Sequence, residues 1–139
     1  MYVMRSIYVI LIALMTTCCA YNKDIPTSSK AYNARVTFYS TDGRWGSRVA
    51  DTKTTRAKEG VTVAAHPDFK FGTKVYIPAL KGKLGDGIFT VQDRGSAVTK
   101  KRASRGRAYV FDIYVRTHSK VRSSARNSSE YMKVYVIKA

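Results

Sequence analysis

The sequence predicts an all-β domain, six short strands closed into a small barrel with one short helical insertion. Three observations carry that expectation. Six runs rich in Val, Ile, Tyr, Phe and Thr fall between residues 35 and 139, most of them alternating as half-buried strands do. Turn formers separate them, among them Asp42-Gly43, Lys81-Gly82-Lys83, Gly85-Asp86-Gly87 and Gly95-Ser96. There is no internal repeat and no long apolar helix. Closure into a ring is expected because an open sheet of short strands leaves its edges unpaired.

In chain order, Val36-Thr37-Phe38-Tyr39 opens the pattern. Val61-Thr62-Val63-Ala64-Ala65 follows Gly60, and Thr73-Lys74-Val75-Tyr76-Ile77 alternates until Pro78 stops it. Ile88-Phe89-Thr90-Val91-Gln92 leads into Asp93. Tyr109-Val110-Phe111-Asp112-Ile113-Tyr114-Val115 is the strongest run, and Tyr131-Met132-Lys133-Val134-Tyr135-Val136-Ile137 is the last. Residues 119–126 form the one plausible helix.

Residues 1–34 are of a different kind. Arg5 precedes a nine-residue apolar run, Ile7 to Met15, too short to span a bilayer, which takes roughly 20 residues. Small residues follow it, so residues 1–20 are expected to be an export signal cleaved near Ala20 rather than a retained anchor. Residues 21–34 contain Pro26, Thr27, Ser28 and Ser29 without periodicity and are expected to be a linker, placing the domain at 35–139. Cys18 and Cys19 are the only cysteines, so the domain has neither a disulfide nor thiol chemistry. Either could carry a lipid that would tether the protein without making it span.

The formal net charge is +16, and removal of residues 1–20 takes away Arg5 alone, leaving +15. Such a field attracts polyanions. With export expected, the partners it favours are an acidic wall polymer, an anionic lipid surface or an acidic glycan rather than nucleic acid; a merely solvated basic surface is the other possibility.

Three ionisable residues could meet in one cleft. In an alternating strand Val110, Asp112 and Tyr114 share one face, while Phe111, Ile113 and Val115 share the other, which looks like the core. Asp112 then projects from a rigid strand beside aromatic side chains, where partial burial would raise its pKa into the range of a useful acid. It could equally be a structural carboxylate satisfied by backbone donors or an arginine. Asp93 ends a strand before Arg94-Gly95 and suits either a cleft or a turn. His66, held extended by Pro67, could orient a carboxylate or a sugar hydroxyl, or be structural. Nothing in the spacing of His66, Asp93 and Asp112 calls for a metal, and no cofactor is expected. Tyr39, Trp45, Arg94 and Tyr114 are the candidate substrate contacts, Trp45 as a stacking surface or as a plug under a loop. Lys100-Lys101-Arg102, Arg105 and Arg107 make a basic loop between the two aspartates that could grip acidic groups or simply be solvated.

At these residues the chain resembles a family. Gly60-Val61-Thr62-Val63-Ala64-Ala65-His66-Pro67, Phe71-Gly72-Thr73-Lys74-Val75-Tyr76-Ile77, Val91-Gln92-Asp93-Arg94-Gly95 and Phe111-Asp112-Ile113-Tyr114 look like the 3D domain, named for three aspartates. That domain is shared by bacterial wall-active proteins and membrane-bound lytic murein transglycosylase A. The likeness runs from about Val36 to Ile137 and implies a double-psi β-barrel. Asp112 matches the third family aspartate, the proposed catalytic acid, and Asp93 the second. His66 stands where the first would be, and the stretch from His66 to Gly72 is one residue shorter than the usual pattern. There the chain is more similar to rare lipoprotein A, whose Ala-Ala-His and Asp-Arg-Gly motifs reappear as Ala64-Ala65-His66 and Asp93-Arg94-Gly95. The resemblance implies a lytic transglycosylase that cleaves peptidoglycan glycan strands between N-acetylmuramic acid and N-acetylglucosamine and leaves a 1,6-anhydro end; with the expected signal it would be exported, and a monomer is expected. A non-catalytic, expansin-like wall-binding barrel is the alternative.

Overall fold

A computed structural model describes residues 24–40, 49–51, 55–116 and 131–138. The expected signal at 1–20 with Cys18 and Cys19, Trp45, and the expected helix at 119–126 lie outside these residues. The described elements are β1 (Ser29–Tyr39), β2 (Thr62–Ala64), β3 (Lys74–Tyr76), β4 (Ile88–Asp93), α1 (Ser96–Thr99), β5 (Val110–Tyr114) and β6 (Tyr131–Ile137). Two 3-10 turns, Pro78–Leu80 and Arg102–Ser104, complete them.

All six expected strands are present, and they close into a ring in the order β1-β5-β2-β4-β3-β6. Two neighbouring pairs are parallel, β1 with β5 and β2 with β4; the other four are antiparallel. Two local expectations need correction. β1 starts at Ser29, so residues 29–34 belong to the sheet and not to a linker. The Ser29–Arg35 stretch pairs antiparallel with Ile137–Tyr131 of β6, and this long-range ladder overrides its weak local strand signal. A single-turn helix also forms at Ser96–Thr99, where the sequence suggested only a turn.

Alternation decides what the ring encloses. From β1, Ala34 and Val36 are buried in the main core, with Tyr32 and Phe38 packed against it. From β5, Phe111 and Ile113 enter the same core, joined by Val63, Val75, Phe89, Val91 and Val134. Fully burying each such side chain stabilises by roughly 1.5–3 kcal/mol. The intervening residues face outward in register: Arg35 opposite Val110, Thr37 opposite Asp112 and Tyr39 opposite Tyr114. The split of β5 into a core face and an Asp112 face is therefore as the sequence indicated.

A close backbone approach helps fix the β3–β4 connection. Gly87 has φ +79°, and a Cβ there would lie 3.0 Å from the Ile77 carbonyl oxygen and 3.1 Å from the Lys81 nitrogen. The Ile77 N–H donates to the Gly87 carbonyl at 2.9 Å, which fixes this approach. Only glycine meets both demands.

Candidate functional site

Ala64 is the geometric centre of the site. In register it faces Asp112 of β5 on one side and Asp93 of β4 on the other. Two strand spacings separate the aspartates, so their Cα atoms are about 10 Å apart across the sheet. The register shifts between Val63 and Ala64, so one extra β4 residue intervenes between Val91 and Asp93. Strict alternation would aim Asp93 into the barrel with Phe89 and Val91. The bulge brings it opposite Ala64 instead.

Tyr39 lies over this centre. It packs against Ala64, Val98 and Val110 on one side and against Val49, Ala57 and Tyr114 on the other. Its ring meets that of Tyr114 edge-on, with centroids 5.4 Å apart. Its hydroxyl donates to Asp93 Oδ2 at 2.8 Å. Burial pushes the phenol far above its ordinary pKa, and the hydrogen bond to Asp93 and the charges of Asp93, Asp112 and Tyr114 push it further. Both carboxylates thus act on one tyrosine, which stays protonated and serves as a donor.

The two aspartates are held differently. Asp93 is buried, and both its oxygens are engaged: Oδ2 accepts from Tyr39, while Oδ1 accepts from the N–H groups of Ala50 at 3.1 Å and Arg94 at 2.8 Å. It ties β1, the 49–51 segment and the end of β4 together, and Asp51 N–H reinforces the tie by donating to the Gln92 carbonyl at 2.9 Å. Asp112 is only partly buried, and its Oδ1 accepts from Thr37 Oγ1 at 2.8 Å. A strand-borne carboxylate with solvent access and an oriented oxygen can exchange a proton with a bound molecule. A carboxylate saturated by three donors is suited to holding structure.

His66 follows Ala65, whose N–H donates to the Asp93 carbonyl at 3.3 Å, and its ring contacts Asp68 and Tyr109. Its Nδ1 accepts from Asp68 N–H at 3.2 Å and lies 3.2 Å from Asp68 Oδ2. Its ring meets Tyr109 with centroids 5.5 Å apart. Tyr109 donates its hydroxyl to Asp68 Oδ2 at 2.5 Å, and Lys101 Nζ sits 4.1 Å from the Tyr109 ring centroid. The Tyr109 hydrogen bond holds Asp68 below its usual pKa, helped by His66 and Lys101 and opposed by a little desolvation.

Arg94 is occupied as well. It donates to the carbonyls of Ala65 and Asp93, each at 3.1 Å, and of Phe69 at 2.6 Å, and its guanidinium stacks 4.1 Å from the Phe71 ring centroid. Burial lowers its pKa from the usual value, against the pull of Asp93 and Asp51. It braces the 65–69 turn against the end of β4. Tyr114 is buried beneath Tyr39. Of the four expected substrate contacts, Tyr39 is the partly exposed one at the centre, and Trp45 lies outside the described residues.

Sequence reasoning missed Thr37 as the partner of Asp112, Asp68 and Tyr109 as the partners of His66, and Tyr39 as the lock on Asp93. Thr37 lies two residues before Tyr39 on the same face of its strand, which was the available signal. Among the described residues no group of three or more His, Cys, Asp or Glu side chains could hold a metal ion, and no helix is long and apolar enough to cross a membrane. Comparison with protein-family models, with curated proteins and with solved structures finds no match to this chain.

Proposed function

We propose that this protein is an exported lytic transglycosylase acting on peptidoglycan, with Asp112 as its single catalytic acid and base. The observation that carries the reading is the convergence of Asp93 and Asp112 on Ala64, with Asp112 solvent-accessible and Asp93 saturated. The ring would then be a double-psi β-barrel, a reading supported by its two parallel pairs in an otherwise antiparallel closure. Protonated Asp112 gives its proton to the oxygen between N-acetylmuramic acid and N-acetylglucosamine. The resulting carboxylate takes a proton from the muramoyl 6-hydroxyl, which closes onto the anomeric carbon as a 1,6-anhydro ring. No water is added, so one well-placed acid suffices in place of the carboxylate pair of an ordinary glycosidase. Thr37 orients the Asp112 oxygen, while the negative charge of Asp93 favours the positive charge that develops on the sugar. His66 has no direct part in this scheme; it shapes the rim of the site through Asp68 and Tyr109.

A second reading is a glycan-binding barrel without catalysis. The saturation of Asp93 favours it, because a single accessible carboxylate also suits a binding groove. Incubation of the full chain with purified sacculi separates the two. Anhydromuropeptides in the soluble fraction, identified by mass spectrometry, are the expected result; pelleting with sacculi and no soluble product would favour binding alone. In both readings the protein works outside the cytoplasm as a monomer, in the periplasm, cell envelope or medium, free or tethered through Cys18 or Cys19.

A further inference from the structure

The segment joining Asp93 to Asp112 contains six Lys or Arg residues, from Arg94 to Arg107, and no acid. The segment 100–107 is a built loop rather than a loose one. Ser104 is buried; its hydroxyl donates to the Ala108 carbonyl at 2.6 Å, lies 3.0 Å from the Lys101 carbonyl and accepts from the Ala108 N–H at 3.2 Å. Val98 is buried against Ala64 and Val110, and Ala103 packs on the same cluster, so the inner side of the loop rests on the residue that both aspartates flank.

The outer side carries Lys100, Arg102, Arg105 and Arg107, all exposed. None of them has a carboxylate partner among the described residues. Two cationic residues also hold left-handed backbone at the ends of the Arg102–Ser104 turn, Lys101 at φ 49° and Arg105 at φ 53°. Glycine is the inexpensive residue for that conformation, and long side chains there point to a use for their charge. Lys101 folds over Tyr109. The three arginines present planar forks suited to oxyanions.

We infer that the 100–107 loop is an anion-recognition surface bordering the Asp112 site, and that it takes the carboxylates of an acidic glycan chain. The loop and its charge stand without the proposed activity; the choice of a glycan as carrier rests on that activity. Among the described residues, three aromatic rings that could stack bases are already taken. Tyr114 is buried, Tyr109 is covered by Lys101, and exposed Phe71 is covered by Arg94. Guanidinium groups along an accessible turn would engage successive carboxylates on a strand whose sugar ring reaches Asp112.

The test measures binding without turnover. The full chain is titrated with polygalacturonate, with a neutral chitin oligosaccharide and with single-stranded DNA. It is compared with Lys100→Gln/Arg102→Gln/Arg107→Gln and with a charge-matched control, Lys70→Gln/Lys83→Gln/Lys133→Gln, whose lysines are also exposed. Both variants are expected to melt with the wild type. The loop variant should bind polygalacturonate roughly tenfold or more weakly, as loss of charge-assisted contacts worth about 1.4 kcal/mol in total implies. The control should lose far less, and chitin oligosaccharide binding should not change. Equal losses in the two variants would overturn the proposal, as would tighter binding of single-stranded DNA with the same dependence on the loop. Wild-type protein that binds polygalacturonate through the loop but releases no anhydro product from sacculi would count against the transglycosylase and not against the loop.

Discussion

Among the described residues the same chemical pair occurs twice, a tyrosine hydroxyl donating to an aspartate, and the two copies behave differently. Tyr39 donates to Asp93 at 2.8 Å in the buried layer over Ala64, and Tyr109 donates to Asp68 at 2.5 Å on the surface. For Tyr39 the leading cause of its raised pKa is burial; for Tyr109 it is the hydrogen bond itself. Distance alone would rank the surface pair higher. Solvent screens an exposed pair and can replace either partner, whereas a buried donor that loses its acceptor has no substitute. The buried pair therefore belongs to the framework of the site, and the surface pair to its adjustable rim.

The largest expected contrast is at the aspartates. Asp93→Ala strands three donors, Tyr39 Oη and the N–H groups of Ala50 and Arg94, and should cost about 3–5 kcal/mol in urea unfolding. Asp68→Ala should leave the urea midpoint within error, and equal shifts would break the comparison. The tyrosines come next. Tyr39→Phe keeps the ring but removes the donor, for a loss of about 1–2 kcal/mol, and Tyr109→Phe should change the midpoint less.

Alkaline titration sharpens the contrast further. A phenol whose pKa is raised by folding contributes its full stabilisation below the unfolded value near 10, and loses it as pH rises through the folded value. Tyr39 lies so far up that its phenolate absorbance should appear only with unfolding. Tyr109 should ionise in the folded protein, above the usual range, and the two single Phe variants identify which signal is which. The smallest effect is at Asp68. Its lowered pKa gives stability that is present above the ordinary carboxylate value and lost as pH falls through the lowered one. His66→Gln removes one contributor, so carboxyl NMR should show Asp68 titrating closer to its ordinary value; no movement would mean that the imidazole contributes nothing.

Where local pattern and long-range pairing agree, the sequence was enough. Alternation in Tyr109 to Val115 located the core face of β5 and placed Asp112 opposite it, and all six strands follow from such runs. What escaped depends on partners distant in the chain. Ser29 to Ala34 become strand only because β6 pairs with them. Asp93 reaches the Ala64 face only through a bulge that no composition rule marks. The contact of His66 with Asp68, two residues later in the turn that follows it, is one the sequence reading did not include. Asp93 and Asp112 both face Ala64, and the ties of Asp93 to the 49–51 segment and to Tyr39 are contacts that no spacing reveals.

The most direct test of the account is product analysis on Asp112→Asn. An amide can still accept from Thr37 Oγ1, so the fold should persist with an unchanged melting temperature, while it can neither give nor take the required proton. The expected result is a folded protein that releases no anhydromuropeptide from sacculi under conditions where the wild type does. Wild-type quantities of anhydro product from that variant would contradict the assignment of the chemistry to Asp112.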